Sequence, residues 1–320
     1  MNTRMKMALA VGLLAMSVAR AQTEDYLVID LTEGPRAKNY PVHYTNTPPD
    51  INDDTCRTNK LWLRRIPAGT FTMGSPDGEL GRDADRETQH QVTFTNDFYL
   101  GIFPVTQRQW ALMLDNAPST FRGDMRPVER ISYNIIRGAT HEHNTNWPSN
   151  GHRVRGDSLL GRMRQRTGLT FELPTEAQWE YACRAGTTTA LNNGTDLTAT
   201  GDCPNMTALG RYAFNLRDDK GRSNDAHTKV GMYQPNAWGL YDMHGNIWEW
   251  CIDWWQPDLG TAAITEPTGP DTGTDRVLRG GAWSNGARGC RSANRISLDP
   301  SFHSLYYGFR LCVLTTPLPK

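Results

Sequence analysis

Residues 236–250 read Asn-Ala-Trp-Gly-Leu-Tyr-Asp-Met-His-Gly-Asn-Ile-Trp-Glu-Trp. Within this segment Asp242 and Glu249 are seven residues apart, and Gly245 between them permits a sharp turn. Two carboxylates combined with backbone carbonyl oxygens are ligands that suit Ca²⁺. The same pattern is typical of acids that cap turns by accepting hydrogen bonds from backbone amides. Local chemistry alone favours turn capping, because calcium loops constrain few residue types.

A second segment follows at residues 279–290, which read Arg-Gly-Gly-Ala-Trp-Ser-Asn-Gly-Ala-Arg-Gly-Cys. The two adjacent glycines allow the backbone to approach another group closely. Cys290 is flanked by Arg288 and Arg291. Cationic neighbours lower the pKa of a thiol, so the pattern predicts a nucleophile or a soft-metal ligand. In an exported protein a structural disulfide is the competing interpretation.

The composition excludes several classes of protein. The 320-residue chain has 34 Lys+Arg and 34 Asp+Glu, which argues against a nucleic-acid binder with a broad basic surface. No internal apolar run is long enough to cross a bilayer. No P-loop, G-x-S-x-G or G-x-G-x-x-G motif is present, so nucleotide-binding and α/β-hydrolase functions have no support. The 29 glycines and 19 prolines indicate a compact, loop-rich protein.

The N-terminus has the features of a secretory signal peptide. Arg4 and Lys6 precede an apolar stretch over 7–18, and Ala19-Arg-Ala21 provides a small-residue cleavage site. We expect residues 1–21 to be removed, leaving no membrane span, with the mature chain in the periplasm or outside the cell. Six cysteines in an oxidising compartment permit three disulfides, but the sequence alone does not set the pairing: Cys56, Cys183, Cys203, Cys251, Cys290 and Cys312.

The hydrophobic pattern predicts an α+β fold with many short elements. Residues 22–60 form a polar N-terminal extension with one strand at 26–30. Further strands are expected at 61–66, 70–73, 90–95, 98–103, 276–279 and 305–312. Thr106 with Gln109, and Thr175 with Gln178, form capping boxes that begin helices; a third helix spans 157–166. The His141-Glu-His143 pair lacks a third metal ligand in spacing, which favours a loop surface.

Several ordered motifs resemble the formylglycine-generating enzyme family, also called the sulfatase-modifying factor domain, over residues 61–314. They are Ile66-Pro-Ala-Gly-Thr-Phe-Thr-Met-Gly74, Pro104-Val-Thr106, Gln109-Trp110, Pro127-Val128, Leu173-Pro-Thr-Glu-Ala-Gln-Trp-Glu-Tyr-Ala182, the 236–250 segment, Arg279-Gly-Gly281 and Gly308-Phe-Arg310. The resemblance implies a variant of the C-type-lectin-like fold, loop-rich, with short strands, two to three helices and bound calcium. The implied activity uses O₂ and Cu(I) to oxidise a cysteine in a Cys-x-Pro-x-Arg segment of an unfolded sulfatase to Cα-formylglycine.

The resemblance also assigns calcium ligands, and for the 236–250 segment it reverses the preference for turn capping. A first site would use the side chains of Asp242 and Glu249 and the carbonyls of Gly245 and Ile247. A weaker second site would use Asn215 and Leu216 with a following acid, for which Asp219 and Asp225 are candidates.

For catalysis the resemblance implies a pair of copper-binding cysteines and a serine. Cys290 matches the second cysteine, Asn285 replaces the first, and Ala282 replaces the serine. Asparagine is a hard ligand and suits Cu(I) poorly. The resemblance further implies a Cys183–Cys312 disulfide, although Cys312 comes one residue late, and Cys290 could pair with Cys251 or Cys203.

Three hypotheses follow. The chain is either a divergent cysteine oxidase, or a lectin-like module that binds a protein or glycan ligand, or a relative of iron-dependent sulfoxide synthases, whose His-rich helical domain this sequence lacks. The module would use the loops at 283–304 and their surroundings, whose residues suit adaptable contacts. These residues are Trp283, Ser284, Asn285, Arg288, His303 and Tyr306.

Overall fold

The structure is a computed structural model that describes residues 24–138, 146–216 and 224–315. The predicted signal peptide, the His141-Glu-His143 pair and Asp219 lie outside the described residues. Among the described residues, no helix combines the length and apolar character that a membrane crossing requires.

The described part of the chain contains five α-helices, more than the two to three expected. They are α1 (Gln107–Leu114), α2 (Tyr133–Arg137), α3 (Leu159–Thr167), α4 (Glu176–Arg184) and α5 (Pro204–Thr207). Both capping boxes are confirmed: the Thr106 and Thr175 side chains accept from the backbone amides three residues on, and Gln109 and Gln178 bond back to the cap residues. The additional helices, α2 and α5, span only five and four residues, too short for a periodic pattern to show.

Thirteen short strands form three sheets within the same residues. The strands are β1 (Tyr26–Asp30), β2 (Val42–Thr45), β3 (Lys60–Ile66), β4 (Gly69–Met73), β5 (His90–Phe94), β6 (Phe98–Gly101), β7 (Phe171–Glu172), β8 (Trp248–Trp254), β9 (Ile264–Thr265), β10 (Arg276–Arg279), β11 (Arg295–Leu298), β12 (Tyr307–Gly308) and β13 (Cys312–Leu314). Their orders are β2-β1-β3-β6-β13-β7, β11-β10-β8-β12 and β4-β5-β9. Residues before Leu61 therefore contribute β1 and β2 to the largest sheet.

The strand predictions need correction in two respects. Five strands were not expected: β2, β7, β8, β9 and β11. Strand β8 was missed because all seven of its residues are buried, so its sequence lacks a regular polar–apolar alternation. The segment 305–312 is not one strand: β12 pairs with β8, whereas β13 pairs with β6 in another sheet. The connecting residues 309–311 carry the chain from one sheet to the other, and Arg310 there reaches Glu249 on β8.

None of the proposed disulfides is present, since all six cysteines are free and buried. The Cys183 sulfur lies 3.6 Å from the Ser292 hydroxyl, and the Cys312 sulfur lies 4.0 Å from the Gln178 side-chain oxygen. The two sulfurs thus have different neighbours. This is expected because Cys312 comes one residue later than the family's cysteine, and successive side chains of a strand point to opposite faces.

Candidate functional site

Glu249, a predicted calcium ligand, is fully buried on β8 and already has a cationic partner. Arg310 donates to both of its carboxylate oxygens, at 2.6 and 2.7 Å, and the Trp179 indole donates at 2.7 Å. The same guanidinium donates to the carbonyls of Gly101 and Tyr241. This charge-assisted pair balances the Glu249 charge inside the protein.

Two of the other predicted ligands of the first calcium site, Asp242 and the Gly245 carbonyl, also accept hydrogen bonds. One oxygen of Asp242 accepts from the Gly231 amide at 2.7 Å, and burial raises the pKa of this carboxyl to about 6. The Gly245 carbonyl accepts from the Ile247 amide at 2.8 Å. A calcium ion would have to displace Arg310 to reach Glu249, so the residues present do not fit the ion. No cluster of three or more His, Cys, Asp or Glu suited to a metal occurs in the described residues.

At the second predicted calcium site an arginine supplies the positive charge. The Arg211 guanidinium donates to the backbone carbonyls of Asn215, Leu216, Asn224 and Ala226. Arg211 is itself buried. Calcium would need the same carbonyl oxygens that already surround the Arg211 guanidinium. These residues therefore do not fit a second calcium ion while Arg211 is present.

Cys290 ends a 3₁₀ turn, Ala287–Cys290, and its thiol is buried. The expectation that its arginine neighbours lower its pKa is wrong. Burial alone acts on the thiol and raises its pKa to about 12. The Arg291 guanidinium binds Glu79 and Glu87, and Arg288 is exposed and donates to the Gly81 carbonyl. The thiol is therefore protonated at neutral pH.

Asn285 and Ala282, which stand where the family has its first cysteine and serine, form a turn together. The Asn285 side-chain oxygen accepts from the Ala282 amide at 2.9 Å, and the Asn285 amide donates to the Ala282 carbonyl at 2.9 Å. A single protonated thiol beside this turn offers only one soft ligand. The residues present therefore do not fit a preformed Cu(I) site.

His244 holds the Cys290 turn in place through two hydrogen bonds. Its Nδ1 donates to the Cys290 carbonyl at 2.7 Å, and its Nε2 accepts from the Asn192 amide at 3.0 Å. Burial lowers the pKa of His244 to about 4, which agrees with the neutral tautomer that these two bonds require.

The predicted ligand surface is partly assembled around an aromatic cluster. The Trp283 and Tyr306 rings stack at 5.3 Å, with Phe121 edge-on to Trp283 at 5.9 Å. Ser284 and His303 are exposed and Asn285 is half-buried, whereas Arg288 turns toward Gly81. Three residues of this cluster were not predicted, because only their spatial proximity identifies them: Phe121, Phe302 and Tyr307.

Phe302 extends this aromatic cluster into solvent. Its ring lies 5.8 Å from Tyr307, which lies 6.3 Å from Tyr306, and the side chain is 47% exposed. We name Trp283, Ser284, Asn285, Phe302, His303, Tyr306 and Tyr307 the aromatic surface. Trp283 is itself largely buried, and its indole N–H has no acceptor among the described residues.

The chain is similar to characterised proteins over most of its length. The profile of one family, described as "Sulfatase-modifying factor enzyme 1-like domain", matches residues 52–314. Formylglycine-generating enzymes of Streptomyces coelicolor and Thermomonospora curvata are 39% and 36% identical; each alignment covers 77% of this chain and 87% or 91% of theirs. The serine/threonine-protein kinase pkn1 of Chlamydia caviae is 31% identical over 77% of this chain, which spans only 37% of that kinase.

Two solved structures show the fold. PvdO from Pseudomonas aeruginosa has a TM-score of 0.62 at 24% identity, covering 79% of this chain and 94% of PvdO. Treponema denticola variable protein 1 has a TM-score of 0.58 at 23% identity, covering 80% and 95%. The loop-rich α+β variant of the C-type-lectin-like fold is confirmed.

Proposed function

Because the chain belongs to the sulfatase-modifying factor enzyme 1-like domain family, we propose that it is a member that binds a protein or glycan ligand through the aromatic surface and does not oxidise cysteine. The observation that carries this proposal is the state of the former catalytic position. Cys290 is a buried thiol whose pKa is raised to about 12, and Asn285 is used to close a turn.

Copper chemistry requires two soft ligands at this position and a means of ionising their thiols, and the described residues supply neither. Cu(I) prefers thiolate ligands, and a thiolate requires a lowered pKa or a metal within reach. The guanidinium of Arg291, next in sequence, is committed to Glu79 and Glu87. An incoming substrate thiol would therefore meet one protonated sulfur and no second soft ligand.

Ligand binding is supported by the composition of the aromatic surface. Tyr306, whose ring stacks on the buried Trp283, provides a rigid contact area at small entropic cost, and Ser284, Asn285 and His303 provide adaptable hydrogen bonds. The exposed Phe302 adds an apolar contact at the edge. Aromatic anchors beside small polar residues are typical of antibody-like recognition surfaces.

The first test is an oxidation assay on the chain from Gln22 to Lys320. The protein is mixed with Cu(I), O₂ and a peptide containing Cys-x-Pro-x-Arg, and the peptide cysteine is followed by mass spectrometry. We expect no conversion. Cys290→Ala is the site variant and Cys203→Ala is the control, because both thiols lie in the same small apolar cluster. Conversion by wild type and Cys203→Ala but not by Cys290→Ala would overturn the proposal.

The second test measures recognition directly. Wild-type protein is applied to a glycan array and to a displayed peptide library, and each hit is titrated against the double variant Phe302→Ala/His303→Ala. Met232→Ala is the control, because Met232 is exposed at 57% outside the aromatic surface. We expect a loss of at least about tenfold in affinity for the double variant only. Hits that bind the double variant and wild type equally would contradict the proposed surface.

We also propose export, on the sequence features of residues 1–21. Fractionation of cells expressing the full chain should place the shortened protein outside the cytoplasm, with Gln22 as its first residue. A charge in the apolar stretch, as in Leu13→Arg, should hold the uncleaved chain in the cell. An uncleaved wild-type chain in the cytoplasm would contradict this prediction.

A further inference from the structure

A cavity of about 420 Å³ lies away from the aromatic surface, between the start of α4, the end of β8 and residues 262–270, which we name the cover segment. Its size is within the range of small-molecule sites. Its apolar walls include Met73, Ala177, Trp254 and Leu259. Nothing in the proposed function uses this cavity.

Asp253 is the polar group that distinguishes the cavity. Its side chain is buried, with an exposed fraction of 4% for the residue. One carboxylate oxygen, Oδ2, accepts from the Glu176 amide at 2.6 Å. The other, Oδ1, accepts no hydrogen bond from another described residue, and it faces the cover segment, where a Cβ on Gly269 would lie 3.2 Å away. The backbone amide of Asp253 also donates to this carboxyl, so the group lacks a cationic partner rather than a hydrogen-bond donor.

The other charged groups around the cavity are already paired or bonded. Both oxygens of Glu176 accept from Arg295 at 2.6 Å. Glu266 accepts from the backbone amides of Thr95 and Asn96, which anchors the cover segment. The lining residues include no lysine or arginine. Asp253 is therefore the buried lining carboxyl that forms no ion pair within the described residues.

Two further groups affect the charge of the cavity. His90 lines the wall, and its Nδ1 lies 3.1 Å from the Thr88 carbonyl. Arg276 stacks on Trp254 and donates to the carbonyls of Trp147 and Ile252, but forms no ion pair with Asp253. Burial, followed by the charge of Glu176, raises the pKa of Asp253 to about 7. A bound cation would favour the ionised form.

We propose that this cavity binds a small organic amine, with the ammonium group donating to Asp253 and an apolar body packing against Met73, Trp254 and Leu259. One free carboxyl suits a monovalent organic cation better than a metal ion, which needs several ligands. The amine would supply a cation to a cavity whose lining residues include no lysine or arginine.

The test uses three probes of nearly the same shape: benzylamine, benzyl alcohol and phenylacetate. Isothermal titration of the wild-type protein should give binding of benzylamine at least about tenfold tighter than of benzyl alcohol, and no binding of phenylacetate. Equal affinity for benzylamine and benzyl alcohol, preference for phenylacetate, or no binding of any probe would overturn the proposal. This comparison needs no variant, so it stands even if a variant fails to fold.

Two variants locate the site. Asp253→Asn keeps an acceptor for the Glu176 amide and removes the charge, so benzylamine should lose its advantage. Asp258→Asn, an exposed acid outside the lining, is the control. Ala263→Trp, at an exposed lining position, should block binding of benzylamine and benzyl alcohol alike. Unchanged binding in Asp253→Asn and Ala263→Trp would place the amine elsewhere and refute the assignment.

The pH dependence gives an independent readout. Between about pH 6 and about pH 8 the ionised fraction of Asp253 rises from about a tenth to about nine tenths, so the apparent Kd for benzylamine should fall about tenfold. His90, Glu176, Glu266 and Arg276 contribute to any residual trend, which Asp253→Asn measures. The same slope in wild type and Asp253→Asn would contradict the role of Asp253.

Discussion

Replacement of Arg310 by Met tests whether an ion pair, rather than a metal, balances the charge of Glu249. The substitution keeps a long apolar side chain and removes the donors to both Glu249 oxygens and to two backbone carbonyls. A buried carboxylate left without its cation typically costs 3–5 kcal/mol, so we expect a loss of about 4 kcal/mol in the free energy of unfolding. Against a total of about 5–15 kcal/mol, this loss is large.

The assay is urea unfolding followed by circular dichroism, with and without calcium. Glu249→Gln/Arg310→Met should recover about 2 kcal/mol relative to Arg310→Met, because no buried charge remains. Arg82→Met is the control, because its partner Asp77 is 96% exposed and the pair should contribute little.

Two results would refute this reasoning. A cost below about 1 kcal/mol for Arg310→Met would show that the pair does not carry the charge balance. Stabilisation of wild type by calcium that is absent in EDTA and in Glu249→Gln would show that Glu249 binds the ion, as the resemblance implies.

Three further predictions concern other buried groups. Burial opposes ionisation of Glu172, but Arg137 and then His152 lower the pKa of this carboxyl to about 2. Its contribution to the free energy of unfolding, about 3 kcal/mol, is therefore present above about pH 4.5 and lost toward pH 2. Glu172→Gln should remove this acid dependence in urea unfolding. Native Cys290 should resist iodoacetamide at about pH 8 and react only in urea, whereas fast native labelling would contradict its burial. Arg211→Met should lower the free energy of unfolding by about 2–4 kcal/mol, and calcium should raise the unfolding midpoint of this variant but not that of wild type. An equal response to calcium in both proteins would refute the idea that Arg211 takes the place of a calcium ion.

Local signals account for the elements that could be predicted from the sequence. The boxes at Thr106 and Thr175 specify helix starts within four residues, so no tertiary knowledge is needed. Strand β8 could not be found in this way, because a strand buried on both faces lacks alternation. The family resemblance assigned its residue Glu249 to a calcium site, and no local pattern indicates the ion pair with Arg310, which is 61 residues away in the chain.

The chemistry of Cys290 failed as a prediction for a related reason. Proximity in sequence suggested that Arg291 would act on the thiol, but the guanidinium binds acids 204 and 212 residues away. A neighbour in sequence lowers a pKa only if its side chain points to the same place. The resemblance identified the position that corresponds to the family's catalytic cysteine, whereas only the folded contacts indicate the protonation state of Cys290.

Buried arginines join distant segments where a loop-rich fold has few regular elements. Arg279 binds Glu180 of α4, Arg295 binds Glu176, and Arg310 binds Glu249, and each guanidinium also donates to a backbone carbonyl of a loop. The six cysteines form no disulfide, and ion pairs such as these link the C-terminal region to α4 and β8. Removing one partner leaves a buried charge, which makes each pair intolerant of change. The exposed side chains of Ser284, Phe302 and His303 belong to none of these pairs, so we expect substitutions there to alter the proposed ligand binding without loss of the fold.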